Sequence, residues 1–290
     1  MDRKKFLSQL TKGSLSAVLG ASALTTSGRN KEMSNHDMID QVGFNHLPNK
    51  EHKTMKTVLH RADTRGHANH GWLNSHHTFS FANYYNPERV HFGMLRVLND
   101  DTVAPARGFG THPHDNMEII SIPLSGDLEH KDSMGTSAVI KEGDIQVMSA
   151  GTGVYHSEYN ANKDKEVKFL QIWVFPNKKD VTPRYDQIKI ADLAKPNDFS
   201  QILSPSQSDQ GVWIHQDAWF HIGQFDDDVE VSYTLKQKGN GVYAFVLDGA
   251  IEIDGQKLEK RDGFGMWDTT DFTVKTTAGS KVLLMEVPMN

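Results

Sequence analysis

The stretch from Gly108 to Asn160 constrains this chain most, because its apolar runs are only a few residues long and each gives way to a glycine. Met117 to Leu124 and Ile145 to Met148 are broken at Ser125-Gly126, Met134-Gly135 and Glu142-Gly143, the punctuation of short antiparallel strands joined by turns. A meander of that kind can fold back and bring its two ends together. At those ends stand two pairs of potential ligands with the same spacing: His112 with His114, and His156 with Glu158. Side chains at i and i+2 of an extended strand point to one face, so each pair is a two-toothed clamp.

Imidazole nitrogen and carboxylate oxygen together suit one divalent transition metal: Fe, Mn, Co, Ni, Cu or Zn. Without thiolate, a closed structural zinc site is not expected. Three His and one carboxylate leave one or two coordination positions for water or substrate, as in a site that performs chemistry or senses a ligand.

Gly108, His112, His114, Glu118 and Gly126 fit the first motif of the cupin superfamily. Gly143, Gly151, His156 and Asn160 echo the second, with two extra residues before the His and Ser149 where a Pro is usual. The runs HFGMLRVLNDD, GFGTHPHDNMEII, HKDSMG and GDIQVMSAGTGVYHSE resemble one branch, the pirin family, whose bicupins include bacterial quercetin 2,3-dioxygenase-like proteins. The similarity is dense from about Val58 to Asp186 and weaker beyond. It implies an all-β bicupin, two antiparallel β-barrel or jelly-roll domains in tandem. It also implies that His112, His114, His156 and Glu158 hold the metal, with Glu118 close by but not ligating. Glu118 taken alone reads equally as a partner of a ligand or as an exposed strand carboxylate.

Length and charge bound the rest. A chain of 290 residues can bury substantial cores as one large domain or two ordinary ones. A formal net charge of -6 disfavours bulk electrostatic binding to nucleic acid. With no cysteine there is no disulfide, iron–sulfur cluster or thiol nucleophile. Fifteen histidines are many for this length, so position has to single out the ligands.

Residues 1–28 have a basic start, an apolar middle from Ser14 to Leu24 and a small-residue cleavage site at Ala21-Ser22-Ala23, the profile of a signal peptide. Arg3-Lys4-Lys5-Phe6-Leu7 looks like a twin-arginine export signal with Lys for the second Arg, so export is expected; a basic amphipathic helix on a cytoplasmic protein is the alternative. No apolar run is long enough for a membrane span. Residues 29–55 are polar and read as a flexible linker. Residues 56–185 form the metal-binding cupin and residues 186–290 a second cupin without a metal site.

Within the first cupin, Thr78 to Phe81 and Phe92 to Leu98 suit strands, with Asn99-Asp100-Asp101 as a turn. His67, His70, His76 and His77 suit polar contacts in loops or at a rim, lacking a chelate partner. In the second cupin, Leu247 to Glu252 aligns with Leu124 to Glu129, a degenerate repeat. That register puts Leu235 and Gln237 where His112 and His114 stand, and leaves His215 and His221 as structural residues.

The resemblance makes iron the first expectation for the metal, and a flavonol or comparable enol with O₂ as the substrates. It implies ring opening to a depside with release of carbon monoxide. Glu158 is the candidate catalytic base, a carboxylate able to leave the metal in part and take the 3-hydroxyl proton. A non-catalytic, metal-dependent redox sensor or partner-binding protein is the alternative, since the family includes nuclear cofactors.

Overall fold

A computed structural model describes residues 55–290. The export signal expected at residues 1–28, and all but the last residue of the expected linker, lie outside the described residues. The first half contains β1 (Lys56–His60), β2 (Gly66–Asn69), β3 (Leu73–His77), β4 (Leu95–Val103), β5 (Gly108–His114), β6 (Glu118–Ser125), β7 (Leu128–Asp132), β8 (Ser137–Ile140), β9 (Asp144–Ser149), β10 (Val154–Asn160), β11 (Val167–Val174) and β12 (Arg184–Lys189). The second half contains β13 (Phe199–Ser204), β14 (Val212–Trp213), β15 (Trp219–Phe225), β16 (Glu230–Thr234), β17 (Asn240–Asp248), β18 (Ala250–Ile253), β19 (Gln256–Glu259), β20 (Gly263–Trp267), β21 (Asp271–Thr276) and β22 (Ser280–Pro288).

Each half is a jelly-roll cupin of two open sheets rather than a closed barrel. In the first, the large sheet runs β12-β9-β6-β11-β4-β3-β2 and the small one β5-β10-β7-β8. In the second, the orders are β1-β20-β17-β22-β15-β13-β14 and β16-β21-β18-β19. Two boundaries differ from the sequence expectation. β1 pairs with β20 and so belongs to the second half's sheet, while β12 continues the first half's sheet to Lys189. Both are edge strands whose partner is distant in sequence, and local patterning carries no signal of such a pairing.

The near-continuous apolar strands of the large sheets are buried on both faces. On β6, Ile120 and Ile122 join a core that spans both halves and includes Leu170, Ile172, Phe220, Phe245 and Leu283. Ile119, from the opposite face of β6, packs inside the first sandwich with Val97, Met148 and Trp173. Period-2 alternation therefore decides which residues see the domain interface and which see the interior of the cupin.

Asn99-Asp100-Asp101 is not a turn but the middle of β4, and the alternation explains its polarity. Asp100 faces the second half, from which Arg261 Nε donates to it at 2.8 Å, and Arg65, just before β2, lies 3.3 Å away. Asn99 and Asp101 face inward and are buried. Likewise Thr78 to Phe81 follows β3 rather than forming a strand.

Candidate metal centre

β5 and β10 lie side by side in the small sheet, antiparallel, with His156 directly opposite His112 and Val154 opposite His114. A register shift between His156 and Glu158 brings Glu158 opposite Phe109. Gly108 permits this close pairing, since a Cβ there would run into the carbonyl oxygen of Glu158 on the neighbouring strand. Gly151, at φ +48, turns the chain into β10 against the carbonyl of Val181, another place with no room for a side chain.

The result is a cluster in which His112, His114 and His156 each offer a ring nitrogen, all within 4.8 Å of one another. Two observations fit this cluster to a metal. Both ring nitrogens of His156 are buried and have no hydrogen-bond partner in the protein, a costly arrangement unless something else coordinates them. His112 Nδ1 lies 2.8 Å from the Gly110 carbonyl; donating its proton there leaves the Nε2 lone pair free for a cation. Burial, with the neighbouring His112, pushes His114 down to about 3. Burial and the surrounding histidines hold His156 well below the usual imidazole range. Neutral imidazole is the form that binds a metal.

Glu158 lies on the same face of β10 as His156 and is 3% exposed, but it is not within that mutual distance of all three histidines. Its carboxylate accepts from Ser121 Oγ at 3.0 Å and from Gln171 Nε2 at 2.8 Å. It lines, with His112 and His114, a cavity whose walls include Leu73, Phe81, Phe109 and Trp173. Glu158 is thus poised between the two polar anchors on the large sheet and the histidines on the small one.

Glu118 is elsewhere. Neighbouring β6 residues alternate, so Ser121 reaches Glu158 inside the sandwich while Glu118 shares the opposite face with Ile120 and Ile122. It is buried, not exposed, and accepts from Ser149 Oγ at 2.7 Å. Burial pushes it up to about 7 against the pull of that bond and of the Arg184 charge. Its role is at the domain interface.

Strand pairing corrects the internal repeat by two residues. Leu128 pairs with Asn160, two beyond Glu158; its counterpart Ile251 pairs with Thr276, two beyond Val274. Tyr233 opposes Phe272 as His112 opposes His156. The positions of His112, His114, His156 and Glu158 therefore correspond to Tyr233, Leu235, Phe272 and Val274, all part of or packed on one apolar core. The offset arises because the second half is two residues longer at this point, 18 from Tyr233 to Ile251 against 16 from His112 to Leu128. Tyr233 donates to Glu286 at 2.8 Å, and His221, facing Tyr233 at 3.2 Å, is held down to about 3 by burial and two lysines.

Ser121, Gln171, Asn99, Asp101 and His77 were missed as site residues from sequence. A single Gln inside the apolar run of β11 was the available signal. Its meaning depends on which face of which strand it occupies.

A jelly-roll pair with a three-histidine cluster in one half and an apolar counterpart in the other defines a bicupin with one candidate metal centre among the described residues. The pirin family model matches residues 58–174, and the quercetinase C-terminal cupin domain model matches residues 201–287. A quercetin 2,3-dioxygenase of Escherichia coli (strain K12) is 40% identical over 79% of this chain and 98% of that protein. A putative quercetin 2,3-dioxygenase of Pseudomonas aeruginosa is 39% identical over 78% and 97%. The crystal structure of the bacterial pirin YhhW from Escherichia coli in complex with nickel(II) matches with a TM-score of 0.76 and 39% identity, covering 80% of this chain and 99% of that one. The chain belongs to the pirin family. Its histidine cluster, with a nickel complex known for a relative, supports a bound divalent metal. No helix among the described residues is long and apolar enough to cross a membrane.

Proposed function

We propose that this protein is a metal-dependent dioxygenase that opens a flavonol or similar enol with O₂. The observation that carries the reading is the histidine cluster at a buried, largely apolar cavity that also holds a carboxylate fixed by two donors. Relatives named quercetin 2,3-dioxygenase favour a flavonol. Iron is the metal proposed first, among Fe, Mn, Co, Ni, Cu and Zn, with Glu158 completing the ligand set of His112, His114 and His156. Bound there, the metal supplies Lewis-acid polarisation of the enol oxygen and a meeting point for O₂.

The chain's own residues do the remainder. Leu73, Phe81, Phe109 and Trp173 exclude water from the bound ring system. Glu158 takes the 3-hydroxyl proton onto a carboxylate oxygen, and Ser121 and Gln171 fix the direction from which it does so. The flavonol and O₂ then leave as a depside and carbon monoxide, and the proton returns from Glu158 to the new carboxylate of the depside, so every atom is accounted for. We also propose that the protein is exported, from the signal-like residues 1–28.

Oxygen uptake by metal-loaded protein, screened over flavonols and other enols, tests the reading. Uptake that requires metal, and that falls about 10²-fold or more in metal-replete Glu158→Gln, is the expected result. Full activity in that variant eliminates the base. No uptake with any enol despite a filled site overturns the dioxygenase and favours a metal-dependent sensor or partner-binding protein.

A further inference from the structure

The large sheet carries a buried polar row across its inner face. Strand register aligns His77 with Asn99, Asn99 with Gln171, Gln171 with Ser121, and Ser121 with Gln146. The middle of this row, Gln171 and Ser121, is accounted for by Glu158. The end at β3 and β4 is not. There, Asn99 Oδ1 and His77 Nδ1 are buried without any hydrogen-bond partner in the protein, and both residues line the cavity. One step along the same two strands, Ser75 lies opposite Asp101 and donates its hydroxyl to that carboxylate; this pair also lines the cavity.

An unsatisfied buried polar atom is destabilising, so two of them beside a buried carboxyl group are unfavourable unless a ligand completes them. Asn99 Oδ1 only accepts, so the ligand must donate to it, and the adjacent Asp101 carboxyl offers an oxygen that can accept a second bond. Apolar side chains bracket the row and fit a flat ring: Phe81 and Trp173 meet edge-on at 5.5 Å at one end, Leu73 lies at the other, and Phe109 comes from the opposite sheet. Strands spaced roughly 5 Å apart put β4 and β3 about 5 and 10 Å from Gln171, the distance of a second ring from one whose hydroxyl meets Glu158.

We infer that Asn99, Asp101 and His77 form a subsite for the vicinal hydroxyl groups of a hydroxylated aromatic ring, on the cavity wall across from the small sheet that carries the histidines. It rests on the proposed flavonol substrate and narrows it: the enzyme selects polyhydroxylated flavonols by the ring remote from the metal. The wall binds and orients; it takes no part in the bond-breaking step.

Equilibrium titration of the metal-loaded protein under anaerobic conditions, followed by tryptophan fluorescence quenching, tests this with quercetin and with 3-hydroxyflavone, which lacks the remote hydroxyls. Wild type should prefer quercetin by about tenfold or more, the worth of one hydrogen bond to a buried acceptor. Asn99→Leu, and independently Asp101→Asn, should erase most of that preference while leaving 3-hydroxyflavone affinity within about twofold. Two variants guard against one failing to fold. A preference that survives in both, or an equal loss for both ligands, overturns the subsite. Should neither flavonol bind wild type, the flavonol reading fails by itself. The subsite is then decided on the same proteins by 1,2-dihydroxybenzene against 1,2-dimethoxybenzene: discrimination lost in the variants upholds it, and no discrimination in wild type overturns it.

Discussion

Replacing Gln171 by Met keeps the length of the side chain and removes the amide that donates to Glu158 at 2.8 Å. The carboxylate would then retain one side-chain donor, Ser121 Oγ at 3.0 Å. Hydrogen bonds to a charged group contribute about 1.5–3 kcal/mol, and Glu158 and Gln171 are both buried, so little water is at hand to substitute. Two effects of that size follow. The metal-free protein should lose about 1.5–3 kcal/mol of stability, a drop of roughly 2–4 °C in Tm per kcal/mol for a chain of this order of length. Metal affinity should fall by about 10- to 100-fold, the usual result of removing a residue that orients a ligand. Competition against a chromophoric chelator measures the affinity, and thermal melting of the metal-free form measures the stability. Ser121→Ala and the double variant complete a cycle; the double variant should lose less than the sum, because both donors act through one carboxylate. Metal affinity within twofold of wild type, in a Gln171→Met protein that melts cooperatively, would refute the idea that Gln171 positions a metal-binding Glu158.

Other expectations are simpler. His112→Ala with His114→Ala should abolish stoichiometric metal, whereas changing His215 and His221 should leave it intact; elemental analysis decides. Burial holds His60 and His77 down to about 4 and His221 to about 3. The unfolded chain takes up those protons near 6.5 and the folded protein does not, so these groups make stability fall as pH drops from 6.5 towards 4. Asp101 and Glu118, raised to about 7 by burial, oppose this over the same interval because the folded protein holds their protons. His221→Gln should therefore flatten the acid loss by up to roughly 1.4 kcal/mol per pH unit, read from denaturant melts; an unchanged slope would show that His221 is not buried neutral. Mass spectrometry of protein from its native host should find a start shortly after Ala23; an intact Met1 in the cytoplasmic fraction contradicts export.

The all-β class, the clamp of His112 with His114 and the pairing of that clamp with His156 were legible in the sequence. Strand periodicity and chelate spacing are local properties, and side chains two apart on a strand share a face whatever surrounds them. The same alternation was present in Asn99-Asp100-Asp101, yet three polar residues in a row read as a turn. Only the tertiary structure reveals that Asp100 meets Arg261 across the domain interface, beside Arg65, while its neighbours enter a cavity. Glu118 was misplaced for a related reason: its position in a motif fixes its number, whereas the face it occupies depends on which side of β6 the second half packs against. Two further residues between β16 and β18 moved the counterparts of the histidines to Tyr233 and Leu235, and a length difference of that kind leaves no mark until strand pairing fixes which residues oppose each other. What the sequence determined, then, was the chemistry that neighbours along the chain can make together. Which buried polar atoms face one another across strands distant in sequence, and hence the row from His77 to Gln146, was decided by sheet order and register, because those contacts exist only once the sheet has closed over them.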